Sequence, residues 1–295
     1  MSRRVVIAGC GDIGTALARA LVADGDAVTG MVSSASGVAR LAGHGIKAVA
    51  CDLDKAPERL PAEIAGADLV YWFVPPPRSG QKDIRSRAFL ALQQSLPRCV
   101  VISTTGVYGD CQGAWIDETR PAAPGTARAA RRLDAERRWQ DAATASLMIL
   151  RVGGIYGPGK WPLARLKREE PVLARDQSPY SNRIHRDDLV RICRRAADVT
   201  VSGVFNAVDD APGTMSDYFI RVAQHFGLPV PREISRAQAE QVLGEGIRSY
   251  LGESRRIRND RLKAALGISL KYPTLAEGLA AAGDQASDSS SLLKI

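Results

Sequence analysis

Arg4-Val-Val-Ile-Ala-Gly9-Cys-Gly11-Asp-Ile-Gly14-Thr-Ala-Leu17-Ala-Arg-Ala-Leu21 joins an apolar run, three glycines and a periodic segment. The run has the pattern of a buried β-strand. Ile13, Leu17, Ala20 and Leu21 recur every three or four residues, the pattern of an amphipathic helix. Between strand and helix the G-x-G-x-x-G spacing gives each glycine its own task. Gly9 permits a tight turn, Gly11 lets the backbone approach a pyrophosphate, and Gly14 lets the helix pack closely on the strand. The helix start offers free N–H groups and a positive dipole end to phosphates. Gly9, Gly11, Asp12, Ile13 and Gly14 are therefore candidate dinucleotide-binding residues.

The same alternation continues outward from this loop. Arg4 to Ala8, Ala27 to Val32, Lys47 to Cys51, Leu69 to Val74 and Cys99 to Ile102 are short runs rich in Val and Ile, separated by stretches long enough for crossover helices. Leu147 to Val152 and Val204 to Val208 supply two later strands. Apolar strands that do not alternate predict a parallel sheet buried on both faces, hence a doubly wound α/β fold. Beyond residue 155 the pattern loosens around Pro158, Pro162, Pro171 and Pro179. The expected organisation is a core over 1–155, rejoined by 183–210, with a small C-terminal cap region from 156–182 and 211–281. Residues 282–295 are Ser-rich and read as a disordered tail.

Composition excludes several classes. The 295 residues are 45% hydrophobic and 24% charged, as in ordinary folded domains. The longest apolar run, Leu69 to Val74, is far below the 18 or so residues of a membrane span. Too few apolar residues follow Arg3 and Arg4 for a signal peptide, so a cytoplasmic protein is expected. Net charge is +8, carried by 32 Arg and 8 Lys against 32 acids. The basic clusters at 128–138, 183–195 and 255–261 contain Asp or Glu and read as salt-bridged helix faces rather than a nucleic-acid surface. Five cysteines without a C-x-x-C pair and three scattered histidines predict neither disulfides nor a metal site.

Cofactor choice is read from the end of the second strand. A carboxylate there would bind the ribose 2′-hydroxyl of NAD. The strand instead ends Gly30-Met-Val-Ser33-Ser34, and the nearest acids, Asp24 and Asp26, precede it. Ser33, Ser34 and Ser36 can donate to a 2′-phosphate, with Arg40 in reach, so NADP is expected to bind at least as well as NAD. Asp52, after the third strand, is a further cofactor candidate near the adenine; it is equally suited to capping the next segment.

Further segments carry a resemblance. Ser103-Thr-Thr-Gly-Val-Tyr-Gly109, Arg151-Val-Gly-Gly-Ile-Tyr-Gly-Pro-Gly159, Asn182-Arg-Ile-His-Arg-Asp-Asp-Leu189, Val204-Phe-Asn-Ala-Val208 and Tyr272-Pro-Thr274 follow in order. Together with the glycine loop they resemble extended short-chain dehydrogenases/reductases of the NAD-dependent epimerase/dehydratase type. Val107-Tyr-Gly-Asp-Cys-Gln-Gly113 and Asp117-Glu-Thr-Arg-Pro121 resemble the YeeZ-type atypical subgroup. The resemblance implies a Rossmann-type sheet, Thr104 and Tyr108 as catalytic residues, and a phosphorylated or nucleotide-sugar-like small-molecule substrate. Oligomeric state is left open by the sequence.

One part of the family pattern is missing. Its Tyr-x-x-x-Lys pair falls on Arg128 and Arg132 when Glu136 sets the frame, and no Tyr or Lys occurs between Gly109 and Ile155. An unassisted phenol with pKa about 10 is ionised in only about one molecule in a thousand at pH 7. Arginine cannot replace it, because a guanidinium has no acceptor and stays protonated. Two functions follow as expectations: an NAD(P)-dependent epimerase, dehydratase or reductase with altered acid/base chemistry, or an NAD(P)-binding regulator or sensor that has lost turnover. Tyr156, His185, Arg151 and Arg183 are secondary candidates for the site, each also explicable by packing.

Overall fold

The computed structural model describes residues 2–93, 95–142 and 146–283. Its centre is a sheet of seven strands: β1 (Arg4–Ala8), β2 (Ala27–Val32), β3 (Lys47–Ala50), β4 (Leu69–Trp72), β5 (Arg98–Thr104), β6 (Leu147–Val152) and β7 (Gly203–Ala207). They lie in the order β7-β6-β5-β4-β1-β2-β3 and every pairing is parallel. Strand order reverses between β1 and β4, and ligands of such sheets bind in the crevice outside the carboxyl ends at that point. The fold is the expected Rossmann-type doubly wound sheet.

The unbroken apolar strands are explained by two cores. Val5 and Ile7 point into a cluster with Leu17, Leu21, Leu189 and Ile192, whereas Val6 and Ala8 point into one with Trp72, Phe89 and Trp139. Since side chains of a strand alternate faces, both faces of β1 must be apolar. Helices α1 (Asp12–Ala23), α2 (Ala35–Ala42) and α6 (Arg186–Ala196) cover the first face; α3 (Ile84–Ala91) and α4 (Ala127–Asp141) cover the second. Trp72, Phe89 and Trp139 sit with ring centroids 4.8 to 5.9 Å apart.

The remaining helices are α5 (Leu163–Lys167), α7 (Met215–His225), α8 (Arg236–Val242), α9 (Glu245–Leu251), α10 (Asp260–Leu266) and α11 (Leu275–Ala280). Tyr156, Leu166, Val172, Tyr218, Leu275 and Leu279 form a separate cluster at the carboxyl edge of the sheet. Short pairings add to it: Val172–Leu173 with Glu233–Ile234, and Tyr180–Ser181 with Gly213–Thr214. One stretch expected in the cap lies elsewhere. Leu262, Leu266 and Leu270 belong to the main core beside Phe205 and Ile192, because α10 lays its apolar face against β7 and α6. The tail expected over 282–295 lies outside the described residues from 284 onward. No described helix is long and apolar enough to cross a membrane.

Candidate active site

The glycine loop occupies the crevice between β1 and β4. Gly9 has φ +78°, and a Cβ there would lie 2.6 Å from the Val74 nitrogen, so both conformation and close approach require glycine. At Gly14 a Cβ would press on Ile7 and Cys10 at 3.1 and 3.3 Å, which sets the spacing of α1 on the sheet. Gly11 is different. Its φ is −82°, and a Cβ would meet nothing nearer than the Gly9 oxygen at 3.9 Å. Nothing inside the chain needs a glycine at 11. It is also the N-cap of α1 and gives no side-chain cap, so the first N–H groups of the helix face an open cradle that a Cβ would fill. The residues present fit a pyrophosphate.

Charge agrees with that fit. Asp12, in the first turn of α1, pairs with Arg186 at 3.1 Å and Lys160 at 3.2 Å. Partial burial alone would raise the Asp12 carboxyl, but these two cations hold it below the usual carboxylate range. The Ile13 side chain packs half-buried on the main core. Arg40 reaches the loop from α2, donating to the Cys10 carbonyl at 2.7 Å and the Thr15 hydroxyl at 3.0 Å.

Beside the loop, Gly9, Val32, Ser33, Asp52, Leu53, Val74, Pro75 and Arg85 line a cleft of about 310 Å³. Ser33 and Asp52 thus share one cleft. Ser34 does not line it; its hydroxyl accepts from Gly37 N–H as the N-cap of α2 and pairs with Ser36. Asp52 also caps, accepting from Asp54 N–H at 3.1 Å. Arg85 closes the far side, held by Asp54 in a two-pronged contact of 2.7 and 2.5 Å.

A larger cavity, about 450 Å³, opens at the carboxyl ends of β5 and β6. Thr104 lines it. The Thr104 oxygen accepts from Gly106 N–H at 3.2 Å, which fixes the side chain and leaves its own O–H free to donate. Tyr108 does not line it. Its ring is 1% exposed and its hydroxyl donates to Asn206 Oδ1 at 2.8 Å, so the two residues expected to act together lie on different sides of the turn. Burial raises the Tyr108 phenol against the pull of Arg151, whose guanidinium lies 4.6 Å from the ring centroid. Arg151 is itself engaged in a buried ion pair with Glu136 at 2.8 Å.

The two arginines in place of the family pair do different work. Arg132 bridges the ends of β4 and β5, donating to the Val74 and Ile102 carbonyls at 3.3 and 3.1 Å. Burial lowers its guanidinium to about 10, still protonated at neutral pH. Arg128 is exposed at the cavity mouth, 4.2 Å from the Tyr250 ring centroid. His185 is 2% exposed, its Nδ1 accepting from Asp187 N–H as the N-cap of α6, and burial lowers its pKa. Tyr156 donates to the Thr274 carbonyl from inside the cap cluster.

Four arginines, 128, 165, 183 and 255, line the cavity against one acid, Glu253. Arg183 and Arg165 stack on the adjacent rings Tyr218 and Phe219 at 3.8 and 4.1 Å. Arg255 donates to the Gly109 carbonyl and to Glu253. Of these, Arg128 is marked in the sequence by its place in the family pattern and Arg183 as a secondary candidate. Arg165, Glu253 and Arg255 carry no local signal; the aromatic pair at 218 and 219 was the one hint. Among the described residues no group of His, Cys, Asp and Glu converges as a metal site.

Comparison with known proteins agrees with this geometry. Residues 9–198 match the NAD(P)H-binding family. The chain is 26% identical over 287 residues to the Escherichia coli K12 protein YeeZ, covering 92% of this chain and 97% of that one. A functionally unknown conserved protein from Silicibacter pomeroyi DSS superposes with TM-score 0.83 at 29% identity, covering 96% of this chain and 99% of that one. MoeE5, solved with UDP-glucuronic acid and NAD, superposes with TM-score 0.74 at 22% identity over 97% and 99% of the two chains. Glycine loop, strand order and family match converge: the chain belongs to the NAD(P)H-binding family, is a homologue of YeeZ, and has the fold of the epimerase-type short-chain dehydrogenases/reductases.

Proposed function

We propose that this protein is a cytoplasmic NAD(P)-dependent oxidoreductase of the epimerase, dehydratase or reductase kind, acting on a phosphorylated or nucleotide-linked small molecule. The observation that carries the reading is the 450 Å³ cavity at the carboxyl ends of β5 and β6, with four arginines and one glutamate on its walls. Such a lining attracts an anionic substrate and, in a site of low dielectric, holds it strongly. The backbone at Gly9, Gly11 and Gly14, with Asp12 and Ile13, would hold the dinucleotide phosphates; Ser33 and Asp52 would hold its adenosine half, while Ser34 caps α2. When bound, the nicotinamide supplies hydride exchange. Thr104 donates a hydrogen bond to a substrate oxygen at the ends of β5 and β6. Tyr108 fixes Asn206 and the turn that carries Thr104. Arg128, at the cavity mouth, binds the anion, Arg132 ties the ends of β4 and β5 together, and neither takes a proton. Serines without a carboxylate at the end of β2, and Arg40 on the loop, support NADP(H) binding at least as tight as NAD(H).

The test is calorimetric titration with NADP(H) and NAD(H), followed by single-turnover hydride transfer over a panel of sugar phosphates and nucleotide-linked alcohols. Expected are dinucleotide binding, transfer to at least one anionic alcohol or ketone, and loss of that transfer in Arg183→Ala. A regulator or sensor is favoured by one observation, arginines at both positions of the acid/base pair. Bound cofactor with no transfer across the panel, and a partner protein captured only in its presence, would decide for that second reading.

A further inference from the structure

Arg183 forms part of the wall of two cavities, the large one of about 450 Å³ and a small one of about 40 Å³ that also meets Asp209, Asp217 and Arg221. Its Nη1 donates to the Ser181 hydroxyl at 2.6 Å and its guanidinium lies 3.8 Å from the Tyr218 ring centroid, but among the described residues it forms no ion pair. Asp209, on the turn after β7, is 3% exposed and does not line the large cavity. Its backbone N–H donates to the Arg183 carbonyl at 2.6 Å, which fixes the acid beside the arginine. Its Oδ1 nevertheless has no hydrogen-bond partner, and its carboxyl no ion pair, among the described residues. A guanidinium without a carboxylate and a buried carboxyl without a cation thus face one small cavity, two halves of an ion pair that the chain holds apart.

The other acids around Asp209 each have a partner. Asp210, next in the chain, is held by Asn259 Nδ2 at 2.7 Å and Lys263 at 2.9 Å. Asp188 on α6 accepts from the Lys271 and Tyr272 N–H groups at 2.7 and 2.8 Å and pairs with Arg191 at 2.9 Å. Asp217 and Arg221 on α7 pair with each other at 3.6 Å. Tyr156 and Tyr218 face the acid as phenols raised by burial, and His185, edge-on to Tyr156 at 5.2 Å, is lowered by burial. Burial pushes the Asp209 carboxyl up to about 8, so its charge changes within the neutral range. An anion in the large cavity and a charged Asp209 then compete for one guanidinium, and by reciprocity each weakens the other's hold. We propose that Asp209 is a positioning residue for the substrate anion, acting through Arg183: neutral, it leaves the full charge of the guanidinium to the ligand; ionised, it draws that charge inward. The inference rests on the anionic-substrate reading above and adds to it the residue that sets the strength of Arg183's hold.

The probe is inorganic sulfate, whose charge is constant from about pH 6.5 to about pH 9, titrated by calorimetry into the full chain at fixed ionic strength. Binding that Arg183→Met removes is the component that reports on the site. It should be about tenfold tighter at about pH 6.5 than at about pH 9, and near about pH 8 it should take up protons from the buffer. Asp209→Asn should hold the tighter affinity at both pH values and take up no protons. Asp217→Asn, altered at a half-exposed acid of the same small cavity, should behave like the parent. An Arg183-dependent affinity with the same pH profile in the parent and in Asp209→Asn overturns the inference and leaves the anionic-substrate reading standing. A profile flattened by Asp217→Asn instead has the same consequence. No Arg183-dependent binding at either pH overturns both. Should Asp209→Asn lack a cooperative thermal transition, the parent decides: proton uptake that Arg183→Met abolishes supports the inference, and its absence overturns it.

Discussion

The glycine loop and the face of α4 border the same crevice, yet only the first follows the family pattern. At the loop, function depends on backbone: a turn at φ +78°, a helix end without a cap, a position with no Cβ. At α4 it depends on side chains, and Arg128 and Arg132 stand where a phenol and an ammonium are expected. The difference teaches that the dinucleotide loop is held to the pattern by its backbone, whereas the α4 face is set by side chains that can change without altering the fold. Backbone requirements tolerate few residue types, whereas an acid can be supplied by any strand end that reaches the cavity.

The largest effects should come from the loop, where the two glycines separate folding from binding. Gly9→Ala drives a Cβ into the Val74 backbone at 2.6 Å in a left-handed conformation, so the fold itself should be lost, read as absence of a cooperative thermal transition. Gly11→Val should leave the thermal midpoint within a few degrees and weaken dinucleotide binding at least about 100-fold by calorimetry. Intact binding in Gly11→Val would break the comparison at its stronger end.

Next is the ion pair beneath α4. Arg151 and Glu136 are 8% and 1% exposed, and removing one partner leaves a buried charge. Arg151→Met should cost about 3 to 5 kcal/mol in urea unfolding. A loss below about 1 kcal/mol would mean that the α4 side of the crevice is not held by this contact.

Asp209 tests the electrostatics of the substrate side. Burial, opposed by Arg183 and reinforced by Asp210 and Asp188, pushes its carboxyl up to about 8, and its Oδ1 has no hydrogen-bond partner among the described residues. The folded state holds this proton more tightly than the unfolded state does. Its contribution to stability is therefore full below about pH 4 and is lost as pH rises towards about 8. Asp209→Asn should be more stable than the parent at pH 8 and lack that decline; a parent whose stability rises between pH 5 and 8 more steeply than the variant's would refute the assignment.

Thr104 and Tyr108 sharpen the comparison at the site itself. Given a substrate, Thr104→Ala should lower turnover about tenfold or more with stability unchanged. Tyr108→Phe leaves Asn206 Oδ1 without its donor and should cost about 1 to 3 kcal/mol of stability, with a smaller effect on turnover. A double variant as fast as the parent would remove both from the mechanism. The smallest effect expected is at cofactor choice, where Ser33→Asp should shift preference towards NAD(H) by several-fold. A parent that already prefers NAD(H) would overturn the reading of the loop after β2.

Much of the fold was legible because its signals are local. Apolar runs on both faces of β1 demand two covered faces, and the positions of Gly9, Gly11 and Gly14 follow from spacing alone. That no Tyr or Lys occurs between Gly109 and Ile155 was equally plain, since it needs only a residue count. The cavity was not legible. With 32 arginines in the chain, nothing near 165 or 255 in sequence marks them as neighbours of 183; they meet because α5, the strand at 183–185 and the segment after α9 converge on Tyr218 and Phe219. Tertiary structure alone also decided that Tyr108 turns inward to Asn206 while Thr104 faces the cavity, and that α10 packs on the sheet. Sequence by itself determined the sheet and the loop, because backbone shape and hydrophobic period are written in adjacent residues. Which charges share a cavity depends on contacts between segments 18 to 127 residues apart, and only the folded chain brings those together.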